Sequence, residues 1–138
     1  MIKKAGIILL CGVILTGLCS CGKKAADEAQ KFQVGVAYYN QTDTFLRELI
    51  DCFRGDLEEY KTKNLEISAM VREAGGSEKT QNEQVEELID AGCDVLCVNL
   101  VDRSDPSEII DMAMENDVPL IFFNREPVRE DMMQWEKM

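Results

Sequence analysis

The sequence predicts an α/β domain on a partial doubly wound parallel sheet, with about four strands and three helices. Three observations predict it. From Phe32 onward, short strand-like runs alternate with stretches of helical spacing, the pattern of βα units on a parallel sheet. Two of the strand-like runs, residues 94–101 and 118–123, are apolar almost without interruption, as in strands buried on both faces. The second run ends abruptly in Asn124-Arg125-Glu126-Pro127, an amide and two charges followed by a residue with no N–H to extend pairing. Polar groups at the carboxyl end of a buried parallel strand stand where open α/β sheets bind ligands. An ordinary solvated strand end has the same composition.

The chain opens with an address rather than a fold. Lys3 and Lys4 precede an apolar run over residues 5–18. That run has the length of a secretory signal core, whereas a membrane-spanning helix needs ~20 apolar residues. Residues 1–20 therefore read as a lipoprotein signal peptide. Leu18-Cys19-Ser20-Cys21 resembles a bacterial lipobox, with Cys21 the lipidated residue because small Ser20 precedes it. An uncleaved short anchor is the rival reading, and it exports the rest of the chain equally. Residues 21–31 are small and polar, without strand periodicity, and read as a linker after the lipid anchor. The folded lobe then covers residues 32–138.

Within it, residues 32–38 form the first strand, with Val34 and Val36 on one side and Gly35 allowing close approach from the other. After the polar turn at residues 40–44, Asp43 or Thr44 can cap a helix running to about Tyr60. Its stripe is Phe45, Leu46, Leu49, Ile50, Phe53 and Leu57. Residues 65–71 alternate apolar and polar, a strand near an edge. Ala74-Gly-Gly-Ser77 breaks the pattern, and Ser77 can cap a helix through Asp90, buried at Val85, Leu88 and Ile89. That turn lacks the glycine spacing of a nucleotide-phosphate loop. Ala91-Gly92 ends the helix, and residues 94–101 make the third strand. Asp105-Pro106-Ser107-Glu108 then supplies a cap, a proline at the first helical position and an acid three residues on. The helix it starts is expected to bury Ile109, Ile110, Ala113 and Met114. Val118 begins the fourth strand, and residues 129–138 follow as an acidic-rich tail with Trp135.

Composition excludes several functions. The 138 residues carry 26 acids, 15 bases and no histidine, a formal charge of -11 that becomes -13 once residues 1–20 are removed with Lys3 and Lys4. Phosphate recognition depends on Lys and Arg, so a nucleic-acid partner is not expected. The lack of histidine removes the usual neutral-pH general base and the commonest metal ligand. Cys52, Cys93 and Cys97 are an odd set in wide spacing and read as packing thiols, neither a disulfide framework nor a zinc site. No metal site is expected.

Right-handed crossovers bring every loop after a strand to one end of the sheet. Asp43, Asn99, Asp102, Asn124 and Glu126 should therefore line one rim. Carboxylates accept several hydrogen bonds and an amide both donates and accepts, which suits a polyhydroxylated ligand. Phe45, two residues after Asp43, can offer a ring face to the C–H side of a sugar. Equally, Phe45 can begin the core stripe of its helix and Asp43 can serve only as its cap.

These segments also carry a resemblance. Phe32-Gln-Val-Gly-Val-Ala-Tyr-Tyr, Asp43-Thr-Phe45, Gln81-Asn82-Glu83-Gln84, Val98-Asn-Leu-Val-Asp102 and Val118-Pro-Leu-Ile-Phe-Phe-Asn-Arg-Glu-Pro127 resemble the amino-terminal lobe of the periplasmic galactose/glucose-binding proteins, type I sugar-binding components of ABC importers. The resemblance implies one lobe of a periplasmic-binding-protein-like I fold with sheet order 2-1-3-4. It implies that Asp43 accepts from sugar hydroxyls, Phe45 stacks on the sugar and Asn124 binds ring hydroxyls, with Tyr39 a further rim residue. It does not imply direct contact for Asn99 or Asp102. The family's second lobe, with its opposing aromatic and its calcium site, and a fifth strand beside residues 118–123, have no counterpart here. No cofactor is expected in this chain.

The function so implied is that of a substrate-binding lipoprotein, lipid-anchored on the outer face of the cell membrane. It would take D-galactose or D-glucose between two lobes and present it to an ABC permease. The alternative is a sugar-sensing receptor for a chemoreceptor or histidine kinase. An enzyme on the same sheet finds no nucleophile elbow, phosphate loop or histidine. A sugar-responsive repressor is opposed by the export signal and the lack of a helix-turn-helix.

Overall fold

A computed structural model describes residues 29–60 and 65–128. The predicted signal peptide, Cys21, most of the linker and the tail with Trp135 lie outside the described residues. Four strands and three helices alternate: β1 (Gln30–Tyr38), α1 (Thr44–Tyr60), β2 (Leu65–Glu73), α2 (Glu78–Asp90), β3 (Val95–Asn99), α3 (Ser107–Glu115) and β4 (Leu120–Phe122). The strands form one sheet in the order β2-β1-β3-β4, and every pairing is parallel. The fold is the α/β lobe that the alternation predicted. β1 starts at Gln30, two residues inside the expected linker, because β2 extends far enough to pair Gln30 with Leu65.

Strand order decides where the helices go. The crossover from β1 to β2 runs one way across the sheet and those from β2 to β3 and β3 to β4 run the other way. A fixed handedness therefore places their helices on opposite faces. On one face, Ile50 and half-buried Phe53 of α1 pack on Val34 and Val36. On the other, Val85 and Leu88 of α2 and Ile109 and Ala113 of α3 pack on Ala37, Leu96 and Val98. Gly35 is required at this second face. A Cβ there would stand 2.9 Å from Leu96 Cδ2 and 3.1 Å from Cys93 Sγ, inside contact distance.

Several sequence expectations are corrected. β3 ends at Asn99 rather than residue 101, because the Leu100 and Val101 N–H groups donate to the Arg125 carbonyl and Gln81 Oε1 instead of to a strand. β4 keeps only three residues of the expected six, since Val118 N–H returns to the Ala113 carbonyl and Pro119 has no N–H. Nor is β4 buried on both faces: it is an edge strand, and Ile121 is 53 % exposed. In α3, Met114 is exposed. The helix begins one residue later than expected, at Ser107, and Asp105 Oδ1 accepts from the Ser107 hydroxyl rather than capping the backbone. Cys52 is exposed on the outer side of α1, off its stripe, so it is not a packing thiol. Ser77 does cap α2, accepting from Thr80 N–H at 3.2 Å.

Candidate functional site

The rim is assembled from the loop after β1 and the loop after β4. The first of these is fixed from below. Ala74 and Gly76 N–H groups donate to the Tyr38 and Tyr39 carbonyls, at 2.9 and 2.7 Å, and Gly75 and Gly76 adopt positive φ to permit it. The Glu73 carboxylate accepts from both Gln41 and Gly75 N–H. Asn40 Oδ1 accepts from Thr42 N–H, closing a side-chain turn that ends just before Asp43.

Asp43 performs the capping role open to it in the sequence. Its Oδ1 accepts from Leu46 N–H at 3.1 Å and its carbonyl from Arg47 N–H, so it is the cap of α1. Its Oδ2 accepts from the Tyr39 hydroxyl at 2.7 Å. These donors, Tyr39 first and the helix amides second, hold the carboxyl below the ordinary aspartate range. The same bond raises the Tyr39 hydroxyl above its ordinary value. A carboxylate offers about four acceptor positions. The Tyr39 hydroxyl and the helix amides fill part of this capacity and orient what is left.

Phe45 does not join the core stripe of α1. It is 61 % exposed in the first helical turn, while Leu46 and Ile50 carry the burial. An exposed ring beside an ionised, oriented carboxylate is an amphipathic ledge.

The second loop leaves β4 at Phe123 and turns sharply. Asn124 has φ +56°, and Arg125 N–H donates back to the Phe123 carbonyl, so Asn124 stands exposed at the tip of a three-residue turn. Arg125 then ties the loops together. Its Nε donates to the Leu100 carbonyl at 2.6 Å and a terminal nitrogen to the Val101 carbonyl at 2.8 Å. Its guanidinium lies 4.6 Å from the centre of the Tyr39 ring. Asn124, Arg125, Tyr39 and Asp43 thus form a continuous series at one end of the sheet. Of the residues that topology was expected to gather there, Asp43 and Asn124 are connected in this series, through the Tyr39 and Arg125 contacts.

The other rim candidates do not join this series of contacts. Asp102 accepts from the Ser104 N–H and hydroxyl, at 2.7 and 2.6 Å, which lowers its carboxyl pKa and engages it in its own turn. Glu126 contributes a backbone carbonyl, which accepts from Arg103 Nε. Asn99 is wholly buried beneath the rim. Two residues with structural weight at the site were not singled out from the sequence, Arg125 and Gln81. Gln81 lies four residues before Val85 and seven before Leu88 on the buried stripe of α2. An amide at an apolar position was the available signal. Among the described residues no group of three or more His, Cys, Asp or Glu side chains could hold a metal.

The architecture is that of a periplasmic-binding-protein type I lobe, four parallel strands with three helices among the described residues. Residues 34–134 match the family described as periplasmic binding protein domain, and the chain belongs to that family, which is one of solute-binding proteins rather than enzymes. It is 27 % identical over 106 residues to a D-galactose/methyl-galactoside binding periplasmic protein of Haemophilus influenzae, spanning 77 % of this chain and 31 % of that protein. An ABC transporter solute binding protein from Bacillus halodurans, solved with myo-inositol, superposes with a TM-score of 0.64 at 26 % identity, over 77 % of this chain and 35 % of the other. One from Mycobacterium smegmatis, solved with glycerol, gives 0.65 at 20 % identity, over 72 % and 33 %. The chain spans about a third of the length of the relatives it matches.

Proposed function

We propose that this chain is the amino-terminal sugar-binding lobe of a substrate-binding lipoprotein serving an ABC sugar importer. The ligand is a monosaccharide, D-galactose or D-glucose, held in a cleft between this lobe and a second one. In this reading Asp43 accepts from sugar hydroxyls through its remaining acceptor capacity, Phe45 stacks on the C–H face, and Asn124 binds ring hydroxyls from the opposite loop. Tyr39 lines the rim and orients Asp43. Export under residues 1–20, lipidation at Cys21 and a linker to residue 31 tether the lobe to the outer face of the membrane beside its permease. Nucleic acid plays no part, and no cofactor is needed in this lobe.

The observation that carries the reading is the pairing of an ionised, oriented Asp43 with a ring that α1 leaves outside its core. The galactose relative and the inositol-bound structure support a polyhydroxylated ring as ligand class. Closure of two lobes around the sugar would be the signal read by the permease. A sensing role, with a chemoreceptor or histidine kinase in place of the permease, uses the same site.

One lobe covers one side of a sugar, whereas good pockets bury most of the ligand. Titration of the 138-residue chain with galactose or glucose, followed by NMR, should therefore show weak binding, with a Kd on the order of 1 mM. Shifts should centre on Asp43, Phe45 and Asn124, and Asp43→Ala should abolish them. Submicromolar affinity, or shifts confined to the opposite end of the sheet, would refute this assignment. Metabolic labelling with a fatty acid, lost in Cys21→Ala, tests the tether.

A further inference from the structure

Two amide side chains, Gln81 and Asn99, are buried to 1 % and 0 % exposure where β3 leaves the sheet. Gln81 reaches across from α2 and brackets the exit: its Nε2 donates to the Asn99 carbonyl at 2.9 Å and its Oε1 accepts from Val101 N–H at 2.8 Å. Asn99 continues the series toward the rim, its Nδ2 donating to the Phe123 carbonyl at 3.0 Å. That carbonyl is the acceptor that also closes the turn around Asn124. A turn of this size with positive φ at a residue bearing a side chain is strained, and it persists only where its surroundings fix it.

Ordinary core packing does not explain Asn99. Its Oδ1 is buried and has no hydrogen-bond partner, so its carboxamide is only half satisfied. A leucine of similar size would fill the position without stranding an acceptor. What a leucine would lack is the donor to Phe123.

We propose that Asn99 is a positioning residue for monosaccharide binding: it touches no ligand, but through the Phe123 carbonyl it holds Asn124 in the left-handed conformation that presents its amide at the rim. The inference rests on Asn124 being a sugar ligand. Gln81 secures Asn99 in turn, and Arg125 secures the far side of the turn through the Leu100 and Val101 carbonyls.

The test compares the full chain with Asn99→Leu, using D-galactose and D-glucose. Three readouts are taken: sugar affinity, thermal melting and the NMR backbone coupling of Asn124. Asn99→Leu should melt no lower than the parent, lose roughly tenfold in sugar affinity, and show an Asn124 coupling shifted away from positive φ. Affinity and melting temperature falling together would mean a merely structural role and would overturn the proposal, as would an unchanged Asn124 coupling. If Asn99→Leu fails to fold, Asn99→Ala is read in the same way. If the parent binds neither sugar, the ligand assignment fails, and the Asn124 coupling alone decides whether Asn99 governs the turn.

Discussion

The two faces of the sheet are built to different depths. Beneath α2 and α3, Leu88, Leu96 and Val98 are fully buried and join one continuous cluster. Beneath α1, among the described residues, the buried cluster is the smaller set Val34, Val36 and Ile50, with Leu46 buried near the start of the helix, and the surface continues over half-buried Cys97 and Phe123 to exposed Ile121. Val36, Leu49, Ile50, Phe53, Cys97 and Phe123 line an open apolar hollow there. The difference follows from topology. Two crossovers lay helices on one face and a single crossover serves the other, so among the described residues α1 packs on β1 and β2 and leaves β3 and β4 thinly covered. Substitutions of the same chemistry should therefore have unequal effects on the two sides.

The largest expected effect is Leu96→Ala, which should cost about 2–5 kcal/mol in urea unfolding, as for a leucine removed from a complete core. Leu49→Ala on the α1 side should cost less than about 1 kcal/mol. Equal values would erase the distinction between the faces. Next comes Gly35→Ala, which drives a methyl into Leu96 and Cys93 and should destabilise by about 1–3 kcal/mol. A neutral result would mean that the filled face is looser than its packing implies.

Thiol chemistry reads the same contrast without altering the core. Burial raises the pKa of both Cys93 and Cys97, so accessibility orders them. A maleimide should modify exposed Cys52 first, half-buried Cys97 on the thin face second, and Cys93 on the filled face last, as followed by peptide mass. Cys93 reacting before Cys97 would invert the comparison.

The smallest effect lies at the rim that both faces share. Tyr39→Phe removes the strongest donor to Asp43, so the Asp43 pKa should rise toward its ordinary value in an NMR titration. The folded-state value is depressed. The contribution of the ionised carboxylate to stability is therefore complete above the unfolded value of about 3.8 and is lost as pH falls through the lower folded value. Parent and Tyr39→Phe should differ in stability at neutral pH and converge in strong acid.

Much of this was legible in the residues. Alternation of strand and helix spacing yielded the four strands, the three helices and the cap at Ser77, because each is set by local periodicity and side-chain chemistry. The extent of β3 and β4 was not legible. The N–H groups of Leu100 and Val101 look available to a strand until Arg125 and Gln81, distant in sequence, claim them. Phe45 shows the same limit differently. Its spacing fits the core stripe, yet in the first turn of α1 it stays exposed while Leu46 beside it is buried. Asp43 and Asn124 could be placed on one end of the sheet by topology, but the Tyr39 and Arg125 link between them could not.

One consequence reaches back to how the chain is made. The strand synthesised first, β1, takes the inner seat between β2 and β3, and Gln33 N–H finds its acceptor on Asp94, 61 residues onward. A nascent polypeptide therefore carries β1 with a vacant flank until Asn99 has followed it. Closing that flank joins residues 61 apart in sequence, the kind of non-local pairing that slows folding relative to local contacts.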